Sequence, residues 1–93
     1  MRESKIENKL KQEVERAGGM CVKFPPIFFK GFPDRIVLLP GSVIFFVELK
    51  QKGKKPTGIQ ALVHDRLRAL GFAVAVLDDV NDIDSLIIMQ GLW

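Results

Sequence analysis

Apolar residues in the first segment, 4-SKIENKLKQEVERAGG-19, fall at Ile6, Leu10, Val14 and Ala17, the spacing of one face of a helix. Ser4 with Glu7 three residues on is a capping-box pattern, and Gly18-Gly19 is a stop signal, so a helix is predicted from about Lys5 to Ala17. The period then changes. MCVKF (20–24) reads as a short strand closed by Pro25-Pro26, and 25-PPIFFKGFPD-34 as a loop. Phe28, Phe29, Phe32 and Ile27 make that loop apolar enough to pack on the core or form an interface. RIVLL (35–39), Pro40-Gly41 and SVIFFVELK (42–50) predict an antiparallel hairpin with a tight turn. From Thr57 a second helix is predicted, with Ile59, Leu62, Val63, Leu67 and Leu70 turned inward and Gly71 as its stop. FAVAVL (72–77) is a continuous apolar run, typical of a strand covered on both faces. Reached through a helix, it should lie parallel to 43–49 by a right-handed crossover. VNDIDSLIIM predicts a short final helix with Val80, Ile83, Leu86 and Ile87 inward. Without internal repeats, residues 1–93 read as one α/β domain: a small mixed sheet flanked by helices, in the order αβββαβ(α).

Side chains alternate across a strand, so Glu48 and Lys50 share a face with Ile44 and Phe46, while Leu49 shares the other with Val43, Phe45 and Val47. Both faces are apolar up to Val47. The strand is therefore internal, and Glu48 stands where its burial ends. With the turn centred on Pro40-Gly41, Asp34 falls opposite Val47, one step from Glu48. Pro33 restricts the approach and aims Asp34. Two carboxylates and a lysine then meet at one end of the sheet. Two acids so placed repel each other unless a cation joins them, and hard oxygen donors suit Mg²⁺ or Mn²⁺. The competing arrangement is a surface salt bridge between Asp34 and Lys50 with Glu48 nearby, and the residues alone leave both open.

A chain with 47% hydrophobic and 27% charged residues is a folded globular domain rather than a disordered tail. Cys21, the only cysteine, excludes an intrachain disulfide or a cysteine-built zinc site, and reads as small core filler. No apolar run approaches the roughly 18–20 residues that span a bilayer, and the charged start is unlike a signal peptide, so a cytoplasmic setting without membrane partners is expected. The net charge of +3 is a modest basic bias, and its placement says more. Lys50, Lys52, Lys54 and Lys55 crowd one segment, while Asp78, Asp79, Asp82 and Asp84 gather near the end. Lys52, Lys54, Lys55 and, on the preceding strand, Lys23 are candidate contacts to a phosphate backbone. His64, one turn after Gln60, reads as a surface or packing residue within reach of the same region. Trp93 reads as a frayed end or a stacking residue.

Pro33-Asp34 followed by Glu48-Leu49-Lys50 matches the PD…(D/E)xK signature. Joined to Glu7 in the first helix, GFPDR (31–35), FVELK (46–50) and Gln60 opening the next helix, it resembles the small VRR-NUC branch of the restriction-endonuclease-like nucleases, over almost the whole chain. The resemblance implies that fold and a metal-dependent, structure-selective DNA endonuclease. Asp34 and Glu48 would be carboxylate ligands of Mg²⁺ or Mn²⁺, the Leu49 carbonyl another ligand, and Glu7 a further one, direct or through water. Glu3, one turn earlier, is the alternative to Glu7. Lys50 would lie near the attacking water, and Gln60 beside the site. The resemblance also implies a phage or bacterial homodimer that cuts branched DNA, including four-way (Holliday) junctions, in recombination and repair. The loop 27–32 and the tail 86–93 are candidates for its dimer surface. Rival expectations are a flap- or fork-cleaving repair nuclease, a non-catalytic nucleic-acid-binding module that keeps the fold, and a structural α/β protein whose charges form a surface pair.

Overall fold

The computed structural model describes residues 3–91; Trp93, the end of the tail and the side chain of Glu3 fall outside the described part. The chain runs α1 (Glu3–Arg16), β1 (Met20–Lys23), β2 (Arg35–Leu39), β3 (Val43–Leu49), α2 (Gly58–Ala69), β4 (Ala73–Leu77), a 3₁₀ turn (Val80–Asp82) and α3 (Ile83–Gly91). The strands lie in the order β1-β2-β3-β4, with β1, β2 and β3 antiparallel and β4 parallel to β3. This is the mixed α/β architecture that the apolar pattern predicts.

Period-two alternation sorts the sheet into two faces. Val37, Leu39, Phe45, Val47, Leu49 and Leu77 form the core with Ile6, Leu10 and Val14 of α1 and Ile83 and Leu86 of α3. Full burial of each such side chain contributes about 1.5–3 kcal/mol, so this seam holds both helices to one face. The other face, which carries Phe46 and Glu48, is met by α2.

Three local expectations are corrected. The hairpin turn has three residues, Pro40, Gly41 and Ser42, closed by the Leu39–Val43 pair, with Gly41 and Ser42 at φ 84° and 65°. The additional turn residue moves the register by one, so Arg35 rather than Asp34 faces Val47, and Asp34 comes level with Glu48. The first helix begins at Glu3, which places Ser4 inside it and leaves no capping box between Ser4 and Glu7. In α2 the inward residues are Gln60, Val63, His64 and Leu67, while Ile59, Leu62 and Leu70 stay exposed. The physical reason is the buried Glu48. A desolvated carboxylate requires hydrogen-bond donors, and this rotation of α2 presents Gln60 and His64 to it.

Candidate active site

Glu48 is the penultimate residue of β3, a central strand, and only 2% of it is exposed. Two donors meet it from α2. His64 Nε2 lies 3.2 Å from Glu48 Oε1, and Gln60 Nε2 donates to Oε2 at 3.5 Å. The two α2 residues are one helical turn apart, so their side chains stack on one face. Gln60 also completes a capping box. Its Oε1 accepts the Thr57 N–H at 2.9 Å, and its own N–H donates to the Thr57 hydroxyl at 3.4 Å. The predicted cap and the predicted place beside the site coexist in one side chain. Burial pushes the His64 imidazole below its ordinary pKa, as does the Arg68 guanidinium, against the pull of Asp34 and Asp65. Lys50 adds to the downward effect.

Asp34 precedes β2 and is tied to both neighbouring strands. Its carbonyl accepts the Phe24 N–H at 2.9 Å, and its Oδ2 accepts the Leu49 N–H at 2.7 Å. The Asp34 carboxylate thus sits against the peptide that follows Glu48. Lys50 leaves β3 with its N–H bonded to the Leu77 carbonyl at 2.9 Å, and among the described residues its ammonium has no hydrogen-bond or ion-pair partner. The loop that delivers Asp34 is seated by Gly31. That residue is buried with φ 87°, and a Cβ there would come 2.8 Å from the Ile59 carbonyl oxygen. Only glycine accepts both the conformation and the approach to α2. Beside it, the Phe32 ring packs edge-on against Phe46, 5.4 Å between centroids.

Asp34, Glu48, Lys50 and Gln60 are therefore brought together at one end of the sheet, and His64 joins them. From sequence His64 reads as a surface or packing residue, because a lone histidine on a helix is more often that than part of a site. The four-residue spacing of Gln60 and His64 was the available signal.

Glu7 is not brought into this group. Its Oε2 pairs with Arg35 Nη2 at 2.7 Å. Arg35 shares a sheet face with Val47, its cross-strand partner, and so lies on the opposite face from Glu48. The nearly buried Arg35 guanidinium thus claims the Glu7 carboxylate in this structure, apart from the group formed by Asp34 and Glu48. Among the described residues no three His, Cys, Asp or Glu side chains cluster closely enough to hold a metal by themselves.

The basic turn is also more committed than its sequence suggests. Lys52 Nζ pairs with Asp79 Oδ2 at 2.7 Å, and the Gly53 N–H donates to Asp78 Oδ2 at 3.1 Å. The acidic cluster after β4 thus anchors the turn. Lys54, Lys55 and Lys23 remain exposed and without such partners among the described residues.

No protein-family profile matches the sequence. The chain is 46% identical over 87 residues to "Putative nuclease p44" of Acyrthosiphon pisum secondary endosymbiont phage 1, a match that covers 94% of this chain and 92% of that protein. A solved "VRR_NUC domain" superposes with a TM-score of 0.85 at 30% identity, covering 98% of this chain and 97% of that one. The chain belongs to the VRR-NUC nuclease family. As a VRR-NUC nuclease it acts on nucleic acid, and the sheet end that carries Asp34, Glu48 and Lys50 is its candidate active site. No helix among the described residues is long and apolar enough to cross a membrane.

Proposed function

We propose that this VRR-NUC nuclease is a metal-dependent endodeoxyribonuclease that hydrolyses phosphodiester bonds in branched DNA, acting as a homodimer on four-way junctions. The observation that carries the hydrolytic reading is the convergence of Asp34, Glu48 and Lys50 at one end of the sheet, where Glu48 touches His64 and the charges of Asp34 and Lys50 both act on that ring. Their donor chemistry suits Mg²⁺ or Mn²⁺. Such ions favour oxygen ligands, and Mg²⁺ is commonly bound by one or two carboxylates, with water and substrate phosphate completing the shell. A three-acid cage is therefore not required, which fits a site without Glu7. Asp34, Glu48 and the Leu49 main-chain carbonyl would hold the ion. When bound, it neutralises phosphate charge and makes water more acidic near neutral pH.

The chain's own residues supply the rest. Lys50 places its charge where negative charge grows on the phosphate and orients the attacking water. Gln60 and His64 hold Glu48 against α2. Lys23, Lys54 and Lys55 are positioned to contact the DNA backbone, and Lys52 props the turn through Asp79.

The dimer reading is supported by apolar surface. Ile27 and Phe28 are 85% and 75% exposed. A cleft of about 570 Å³ runs between the Phe29–Phe32 segment and the outer face of α2, lined by Ile59, Leu62 and Leu70. On α3, Ile88 and Met89 are exposed as well. A two-fold dimer presents two sites symmetrically, as paired cuts across a junction require.

The test is cleavage, with Mn²⁺, of linear duplex, flap, fork and four-way junction, alongside light scattering at micromolar protein. Paired symmetric nicks in the junction by a dimer are expected. Cleavage confined to flaps or forks would replace the junction reading with a repair-nuclease one. Binding without cleavage on every substrate would leave a nucleic-acid-binding module.

A further inference from the structure

We propose that His64 is a positioning residue for Glu48: a buried imidazole N–H that fixes the carboxylate in the rotamer needed to bind a divalent cation. The inference rests on the metal-dependent reading above and adds a residue to it.

His64 is 1% exposed and Glu48 2%, so the 3.2 Å contact between them is shielded from water. An ionised carboxylate only accepts hydrogen bonds, so Nε2 must carry the hydrogen whether the ring is neutral or charged. The contact is thus a directed donor bond in either state. It falls on Oε1, whereas Gln60 reaches Oε2 only at 3.5 Å, the outer limit of a hydrogen bond. The two grips differ in consequence. Oε1 is held by a side chain enclosed in the α2–sheet contact, and Oε2 faces a half-buried amide already occupied with the Thr57 N–H. The His64 contact is thus the shorter and more enclosed of the two α2 grips on Glu48. Without His64, Glu48 would have to be ordered at the moment of binding, and such losses in the residues that orient metal ligands typically weaken metal affinity by about 10–100-fold.

His64 could instead be a core filler that happens to touch Glu48. Two substitutions separate these roles. His64→Leu fills the volume and removes the donor, whereas His64→Gln restores an N–H at similar reach. His64→Asn, polar but too short to reach Glu48, repeats the comparison should the leucine variant fail to fold. The measurement is calorimetric titration of each protein with Mn²⁺ alone, in the absence of DNA and below each variant's melting temperature. Mn²⁺ affinity should fall at least about 10-fold in His64→Leu and His64→Asn, and stay within about threefold of the parent in His64→Gln. Parental Mn²⁺ affinity in His64→Leu or His64→Asn would overturn the positioning role and leave the metal site standing. Equal weakening in the glutamine and leucine variants would likewise reduce His64 to packing. Absence of Mn²⁺ binding by the parent protein would overturn both readings.

Discussion

Asp34 Oδ2 accepts the main-chain N–H of Leu49 at 2.7 Å, so a candidate catalytic carboxylate is also a splice between the start of β2 and the end of β3. The two roles can be separated. Asp34→Asn keeps an oxygen acceptor for the Leu49 N–H but removes the charge, whereas Asp34→Ala removes both. Cleavage should fall to background in each. Thermal or denaturant unfolding should show the alanine variant about 1–2 kcal/mol less stable than the asparagine one, the size of one good hydrogen bond. Equal stability of the two variants would mean that the splice carries no weight.

Lys50 presents a different case, because its ammonium has no described side-chain partner to lose. Lys50→Met should leave the melting temperature within a degree or two and lower kcat by about 10²–10³, the usual cost of removing one group that stabilises transition-state charge. KM for DNA should change little, since Lys23, Lys54 and Lys55, the proposed backbone contacts, are left in place. A large rise in KM with kcat preserved would move Lys50 from the chemistry to binding.

Most of the fold was legible because each element carries its own period: Ile6, Leu10 and Val14 for α1, the doubled apolar faces of 43–47 for a central strand, and FAVAVL for the parallel strand. Asp34 and Glu48 were legible as neighbours for the same reason. The one-residue error in register came from Ser42, whose positive φ lengthens the turn, a conformation that no apolar pattern records. The inward face of α2 was misread because Ile59, Leu62 and Leu70 outvote Gln60 and His64 in hydrophobicity. Tertiary need decided it, since the buried Glu48 needed the polar pair. Lys52 and Asp79 lie 27 residues apart, and their pairing depends on β4 returning beside β3. Local sequence could not show it.

That pairing makes part of the stability depend on acid pH. The Lys52 hydrogen bond, and after it the Asn81 N–H, hold the Asp79 carboxyl below its ordinary pKa. A group whose folded pKa is depressed contributes stability above its unfolded pKa of about 4 and loses it as pH falls through the folded value. Asp79→Asn removes that contribution at neutral pH, so its melting temperature should lie below the parent's at pH 7. The gap should narrow as both proteins are taken below pH 4. Screening at this exposed site keeps the effect small, and added salt should shrink it further. A gap that is constant from pH 7 to pH 3 would assign it to lost packing instead of charge.

The pair between Glu7 and Arg35 decides whether the first helix contributes to the chemistry or only to the frame. Arg35 is 6% exposed, and its guanidinium donates both to Glu7 and, at 2.9 Å, to the Asp34 carbonyl. Glu7 therefore steadies the residue that flanks Asp34, from the sheet face opposite Glu48. If that is its work, Glu7→Gln keeps a neutral acceptor for Arg35 and costs about 1.5–3 kcal/mol at most, the worth of a charged hydrogen bond. Cleavage measured well below the melting temperature should then remain within about tenfold of the parent, and Mn²⁺ affinity should be unchanged. A glutamine at a metal ligand would behave otherwise, with cleavage near background and Mn²⁺ binding weakened at unchanged stability. Arg35→Met supplies the reciprocal control. It leaves the Glu7 carboxylate intact, so a loss of stability with parental Mn²⁺ affinity in that variant places the whole pair in the frame.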